Sequence, residues 1–359
     1  MHIKNLYIQH FRNIVEQQLS FSNKINIFFG KNGAGKTSLL EAIYYLSTGH
    51  SFRVNSSQKM IQYQTDSALV RLNLQKNTQE NTLGIKFTNE NRELYINGEK
   101  TKRMSLAVQM LPILAINVFN MRFFVEGPTL RRKFLDWGAF HQYSDYPLIL
   151  RQFNKIWQQR NSALKNRLNS GEVICWDSEF VAAAELIHQL RQNYTQKLET
   201  FLLPILQGFL QEEKLSLSYK RGWDEAFSLS QLLRQGLFED FQMGYTKYGP
   251  HRADINLYVG ETLAQDYLSQ GQQKVAAYAF YLSQGHIFKQ QHTYSPIFLI
   301  DDLPAELDVD KRGLVAKTLN ELDAQIFITG VTQEDLESFL AYKNCSLFHV
   351  EQGKIVPVE

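Results

Sequence analysis

The sequence predicts an α/β protein whose main domain is assembled from both chain ends and interrupted by a helical arm. Three observations carry this. A glycine-rich loop at residues 30–37 lies between a strand-like and a helix-like run. A short apolar run, Ile297–Ile300, ends far downstream in Asp301 and Asp302. The middle of the chain repeats its apolar residues at helical spacing. The expected boundaries are 1–112 plus 245–359 for the α/β domain and 113–244 for the arm.

In chain order, residues 3–8 and 25–29 are short β-rich runs, and Val70, Leu72 and Leu74 alternate as a half-buried strand does. Residues 94–96 lead into Asn97 and Gly98, a hairpin signal. Tyr146, Ile149, Leu150, Phe153, Ile156, Trp157 and Leu164 then recur at helical spacing, as do Ala184, Ile187, Leu190, Tyr194, Leu198 and Phe201. Asn169, Ser170 and Gly171 break the pattern, which predicts an antiparallel helical hairpin. From Tyr258 onward strands and helices alternate again, with buried strands at 297–300 and 326–329.

At 44% hydrophobic and 21% charged residues in a chain of 359, the composition excludes a disordered or collagen-like protein. No apolar run reaches the roughly 18 to 20 residues that span a bilayer. The opening MHIKNLYIQHFRN lacks the apolar core of a signal peptide, so a cytoplasmic protein without a membrane partner is expected. Cys175 and Cys345 are the only cysteines, too far apart to suggest a disulfide framework or a zinc site.

The net charge of +2 hides a local excess. Residues 100–171 hold twelve bases and three acids, +9, which leaves the rest of the chain at −7. Such a segment either attracts a phosphate backbone or is a solvated helix face.

Gly30, Lys31, Asn32, Gly33, Ala34, Gly35, Lys36 and Thr37 satisfy the phosphate-loop pattern, whose chance occurrence in a chain of this size is roughly one in a hundred. Glycines let backbone N–H groups turn toward phosphate, the helix start adds its positive end, Lys36 reaches the β and γ phosphates, and Thr37 ligates Mg²⁺. A plain glycine turn before a helix does not account for Lys36 and Thr37 together. The strand ending at Ile300 would deliver Asp301 to hold Mg²⁺ through water, and Asp302 to orient or deprotonate the attacking water. Lys36 and Asp302 are thus the candidate catalytic residues, and Thr37 and Asp301 the candidate metal residues.

Leu268, Ser269, Gln270, Gly271 and Gln272 precede a further helical run. Ser269 and Gln272 alone could be a capping box. The same residues match the signature sequence of ABC-type ATPases. That resemblance implies that Ser269, Gly271 and Gln272 grip the γ-phosphate bound by a second copy, hence a head-to-tail dimer closing over two ATP molecules. Glu306, Leu307 and Asp308 resemble the D-loop that lines such a seam.

The resemblance narrows with His10, Phe11, Arg12 and Asn13, with His50, Ser51, Phe52 and Arg53, and with the stretches GPTLRRKFLDW at 127–137, YGPHRAD at 248–254 and IDDLPAELD at 300–308. Together with the phosphate loop and the signature, these resemble the RecF family of recombination mediators, SMC-like repair ATPases without the long coiled coil. The fold this implies is an ABC-type P-loop ATPase head with an inserted helical arm domain.

The implied function is ATP-dependent DNA binding in recombinational repair, replication restart and the SOS response. Such a protein binds single-stranded, gapped and duplex DNA, dimerises on ATP, and helps RecO and RecR load RecA. Its weak, DNA-stimulated ATP hydrolysis, with Mg²⁺, resets the clamp. The SMC-like pattern also places Arg12 and Asn13 near the nucleotide, although a strand-end turn would use them as well.

Arg131, Arg132 and Lys133 fit either DNA contact or a structural salt-bridge cluster, and His251 and Arg252 read as a turn with solvated charges. Two departures from the wider ABC pattern predict slow turnover: no histidine follows Gly330, Val331 and Thr332, and Asp302 is shorter than the usual glutamate. An ABC transporter's nucleotide domain and an SMC-like subunit of a nuclease complex are the rival readings. The basic helical insertion opposes the first, and the shortness of the arm opposes the second.

Overall fold

Strands that are apolar on both faces are stable only in a sheet covered on both sides. Ile297–Ile300 and Ile326–Gly330 are buried at every position. They lie in a six-stranded sheet in the order Lys354–Val358, Cys345–Glu351, Ile25–Phe29, Ile326–Gly330, Ile297–Ile300, Ile113–Ile116. All neighbours run parallel except the hairpin of the last two strands in the chain. The structure, a computed structural model, describes every residue except Asn55, Glu213, Lys343 and Glu359.

A second, antiparallel sheet runs Ile14–Ser20, His2–Phe11, Ala68–Lys76, Gln79–Phe87, Arg92–Ile96, Glu99–Thr101. The helix Lys36–Thr48 packs against strands of both sheets, which is why ten of its thirteen residues are buried. Leu39, Ile43 and Leu46 share one core with Leu6, Val70 and Ile85 of the antiparallel sheet and with Phe28, Phe327 and Phe348 of the parallel one. Buried Gln325 pins the sheets together, accepting from Ile3 N at 2.7 Å and donating to Ile3 O at 2.8 Å.

Two compact units divide the chain, Met1–Arg122 with Gln270–Glu359, and Phe123–Ser269. Both divisions fall later than the expected 112/113 and 244/245. Ile113–Ile116 is the edge of the parallel sheet, hydrogen-bonded to Ile297–Ile300, and stays with the first unit. Asp254–Val259 pairs with Leu215–Lys220, so residues 245–269 join the second.

Within the second unit, Tyr146–Lys165 packs along the 34-residue helix Asp177–Leu210. The expected breaker between them starts a short helix, Ser170–Ile174, with Asn169 and Glu172 forming a reciprocal capping box. The unit is also not purely helical: it carries a three-stranded sheet, Thr262–Leu263, Asp254–Val259, Leu215–Lys220.

The basic excess is partly internal. Arg131 makes a bidentate pair with Asp254 at 2.7 and 2.9 Å and also donates to the carbonyls of Phe123 and Glu126. Arg160, fully buried, donates to Asp177 at 2.8 Å, Asp240 at 2.7 Å and Thr246. All three acids lie outside residues 100–171, so a count over that window overstates the charge that faces solvent. Arg131 therefore takes the structural alternative, and Lys133 is exposed.

The solvated reading of His251 is corrected. Its ring stacks on Trp157, centroids 4.8 Å apart, its Nε2 donates to Thr246 O at 2.9 Å, and its Nδ1 is buried without a partner. Burial pushes its pKa down to about 4, with Arg252, Arg132 and Arg160 adding to the effect and the Thr246 bond opposing it. Arg252 is exposed and lies over the Tyr245 ring.

A histidine held neutral in the fold costs stability in acid. The unfolded chain takes up a proton as pH falls through about 6.5, and the native one only near 4. From pH 7.5 to 5 the protein should lose about 2 kcal/mol that His251→Phe does not lose. Urea midpoints at the two pH values measure this, and equal losses in both proteins would contradict the assignment.

Candidate functional site

The phosphate loop leaves the parallel sheet where two close approaches demand glycine. Gly30 has φ +154, and a Cβ there would stand 2.1 Å from Val350 O. Gly35 has φ +119, and its Cβ would meet the Asn13 side chain at 2.9 Å. Asn13 Nδ2 donates to Ala34 O at 3.0 Å, and Gly353 N donates to the same carbonyl at 2.7 Å. The loop is thus braced from behind, and the helix Lys36–Thr48 begins with no side-chain cap and no acid in its first turn. Its first N–H groups and the positive end of its dipole are therefore not neutralised locally.

Lys36 is buried, and its ammonium donates to Gly30 O at 2.5 Å and Lys31 O at 3.0 Å. Burial lowers its pKa, while Asp302 and Asp301 raise it. The parallel register places the ends of three strands side by side, so Thr37, Asp301 and Thr329 meet across 264 and 28 residues of chain. Thr37 Oγ1 lies 3.0 and 2.9 Å from the two Asp301 oxygens. Thr329 Oγ1 donates to Asp301 Oδ1 at 2.8 Å and accepts from Asp302 N at 2.8 Å.

Burial raises the pKa of Asp301, and the bonds from Thr329 and Thr37 oppose this. Asp302 adopts a left-handed backbone, φ 55. Its pKa is also raised by burial, further by Glu306 and Asp335, and opposed by Lys36; its Oδ1 is buried without a hydrogen-bond partner. A carboxylate so placed binds a proton more readily than one in water, as a base acting on water must.

These groups line a cleft of about 790 Å³. Among the candidate site residues, Arg12, Asn13, Asn32, Gly33, Ala34, Gly35, Lys36, Thr37, Asp301 and Asp302 reach it; Gly30 and Lys31 instead supply the carbonyls that hold Lys36. Gly271 and Gln272 are not in its lining, and Ser269 and Gly271 are exposed at the start of the helix Gln270–Gln291. Lys274, one turn on, pairs with Glu306 at 2.6 Å.

Thr329, Asn117, Arg53 and Lys59 also line the cleft and are not among the candidate site residues, although Asn117 is a possible match for the glutamine that follows a core strand in such ATPases. Thr329 ends a buried strand, as Asp301 does, and that shared position was a usable signal. Asn117 follows the buried strand Ile113–Ile116; its Oδ1 accepts from Phe119 N and Asn120 N, and its Nδ2 is buried without a partner. Arg53 closes the stretch His50–Arg53 that carries part of the family resemblance, with no role assigned to it, whereas nothing local marks Lys59.

The sequence profile of the RecF/RecN/SMC N terminal domain matches residues 2–356. The chain is similar to the DNA replication and repair protein RecF of Coxiella burnetii (strain RSA 493 / Nine Mile phase I), 42% identical over 355 residues, covering 99% of both chains. Its counterpart in Shewanella woodyi is 39% identical over 360 residues, covering 100% of this chain and 99% of that one. Among solved structures, the recombination mediator protein RecF with ATP, from the RecFOR pathway, superposes with a TM-score of 0.88 at 26% identity, covering 100% of this chain and 98% of the other. An Smc head bound to the C-terminal winged-helix domain of ScpA shares the fold, with a TM-score of 0.61 at 15% identity over 100% and 97% of the two chains.

Thr329→Val removes a hydroxyl that serves two neighbours at once. It should cost about 1 to 3 kcal/mol of unfolding free energy, whereas Thr329→Ser should recover most of it. Chemical denaturation checks both; equal stability of the valine and serine variants would remove the hydroxyl's role.

Proposed function

The chain belongs to the RecF family, within the RecF/RecN/SMC N-terminal-domain group, and from that premise we propose that it is an ATP-dependent DNA-binding protein of replication and repair. The observation that carries this reading is the cleft in which an uncapped helix start and a buried lysine face two carboxylates. The ATP named for the similar RecF structure supports it.

The N–H groups of residues 32–37 and Lys36 would hold the phosphates, with Lys36 exchanging its two carbonyl partners for phosphate oxygens. Thr37 and Asp301 are the oxygen donors suited to Mg²⁺, and the cleft offers both a hydroxyl and a carboxylate within 3.0 Å of each other. When bound, that ion would neutralise phosphate charge and polarise the terminal phosphoryl group. Asp302 would orient water and accept its proton, with its backbone fixed by Thr329. Arg12 and Asn13 act at the rim, Arg12 toward the nucleotide and Asn13 by bracing the loop.

The exposed Ser269 and Gly271, with Gln272, would close on the nucleotide of a second copy, giving an ATP-dependent homodimer. Hydrolysis is slow and DNA-stimulated, and it resets the dimer. RecO and RecR are the proposed partners, with RecA loading the outcome, in the cytoplasm. No helix among the described residues is long and apolar enough to cross a membrane. DNA contact is assigned to the exposed stripe Arg151, Lys155, Gln158, Ser162 and Lys165 on the helix Tyr146–Lys165, which can follow a backbone without reading bases.

Lys36→Ala should weaken ATP binding roughly 10- to 100-fold with an unchanged circular dichroism spectrum. Tight binding by the folded variant would dismiss the site.

Ser269→Arg should leave ATP binding by the monomer intact but abolish the ATP-dependent dimer, while Asp302→Asn should hold that dimer closed by blocking hydrolysis. Gel filtration with ATP separates the two, and a dimer formed by Ser269→Arg would reduce the motif to a helix cap.

Replacing Arg151, Lys155 and Lys165 by Glu should weaken DNA binding and lower the slope of log affinity against log salt by about 2 to 3, with ATP binding unchanged. An unchanged slope would move the DNA path elsewhere.

A further inference from the structure

Glu41 has no part in the chemistry described above and does not line the cleft, yet its carboxylate is completely buried on the helix that starts at Lys36. A buried carboxylate is tolerated only when its charge is paired and its lone pairs are used. Glu41 meets that condition with groups from two separate segments. Arg12 forms a bidentate pair, Nε to Oε2 at 2.9 Å and Nη2 to Oε1 at 2.7 Å. The Ser51 hydroxyl donates to Oε1, and Arg53 Nη1 lies 3.8 Å from Oε2.

Both arginines line the phosphate cleft. Arg12 stands at a left-handed backbone position, φ 55, and its Nη1 also donates to Lys59 O. These three bonds leave two of its five N–H groups uncommitted. Its own N–H donates to Met60 O at 2.7 Å, and Phe11 bridges Ile61, so the turn at Arg12 is tied to the segment around residues 59–61.

We propose that Glu41 is a positioning residue for the nucleotide cleft: it holds Arg12 and Arg53 as one wall, at a fixed distance from the phosphate-loop helix, without itself touching ligand. Charge explains why an acid is needed behind the wall. Two guanidiniums with no anion between them repel each other, and Arg53 is also attracted by Asp301. Two guanidiniums and one carboxylate sum to one net positive charge, which suits a polyphosphate. The inference rests on the reading of the cleft as an ATP site.

A double-mutant cycle on ATP affinity tests it, read with a fluorescent ATP analogue and Mg²⁺ at a temperature where circular dichroism shows every variant folded. Glu41→Gln keeps the shape and removes the charge, and Arg12→Met removes the partner. Each should weaken ATP binding about tenfold or more, and in the Arg12→Met background Glu41→Gln should cost much less than it does alone, the remainder being its hold on Arg53. A purely structural role would lower the melting temperature and leave ATP affinity unchanged.

Should Glu41→Gln fail to fold, Ser51→Ala, which removes one tie to Glu41, should still weaken binding several-fold, and Glu41→Met with Arg12→Met restores an apolar pair in place of the buried charges. Wild-type affinity in Glu41→Gln or in Ser51→Ala, or losses that multiply in the double variant, would overturn the inference. Lys36→Ala in the same titration keeps the two questions apart. If the unmodified protein does not bind ATP, the cleft reading fails; if it binds and only Lys36→Ala is impaired, this inference alone fails.

Discussion

Everything at the candidate site depends on the parallel register of three buried strands. Ile25–Phe29, Ile326–Gly330 and Ile297–Ile300 are apolar at nearly every position, so they must lie side by side between covering layers, and they end at the same edge. That edge is where Gly30, Thr329 and Asp301 emerge. The hydrogen bonds from Thr37 and Thr329 to Asp301 close the arrangement and offset part of the cost of burying its carboxylate. In a parallel sheet, ligand groups gather beyond the carboxyl ends of the strands for this reason.

Buried charge is handled by one rule in both units. Glu41 is surrounded by Arg12, Arg53 and Ser51, and Arg160 by Asp177, Asp240 and Thr246. Removing one member of such a set strands the others in a medium that solvates them poorly, which makes these residues costly to change whatever their function. Asp302 combines both features at one residue: its buried Oδ1 has no partner and its backbone is left-handed. Strain and an unused acceptor at one residue mark a place arranged for something other than stability.

Much of this was legible in the sequence because the signals are local. Alternation at Val70, Leu72 and Leu74, the all-apolar runs at 297–300 and 326–329, and the phosphate-loop spacing each depend on residues close in the chain. The α/β head built from both chain ends follows from them, and the RecF family was recognisable from short ordered stretches. What escaped depends on pairing between distant segments. The charge excess over 100–171 could not be divided between solvent and interior, because Asp177, Asp240 and Asp254, which neutralise Arg160 and Arg131, lie outside it. His251 looked solvated beside Gly249 and Pro250, since Trp157, almost a hundred residues earlier, is what covers it. Asp254–Val259 alternates apolar and polar residues and could have been read as a strand of the second unit. Glu41 was invisible, because a glutamate inside an apolar helix gives no hint of which arginines it faces.

The central claim is that the phosphate loop, Thr37 and Asp301 form one Mg²⁺-dependent ATP site per chain. Calorimetric titration of ATP into the 359-residue chain, with Mg²⁺ and then with the metal chelated, tests it most directly. The account predicts one nucleotide per chain and an affinity that drops when the metal is removed. No binding, or binding with the same affinity and stoichiometry in both conditions, would contradict it.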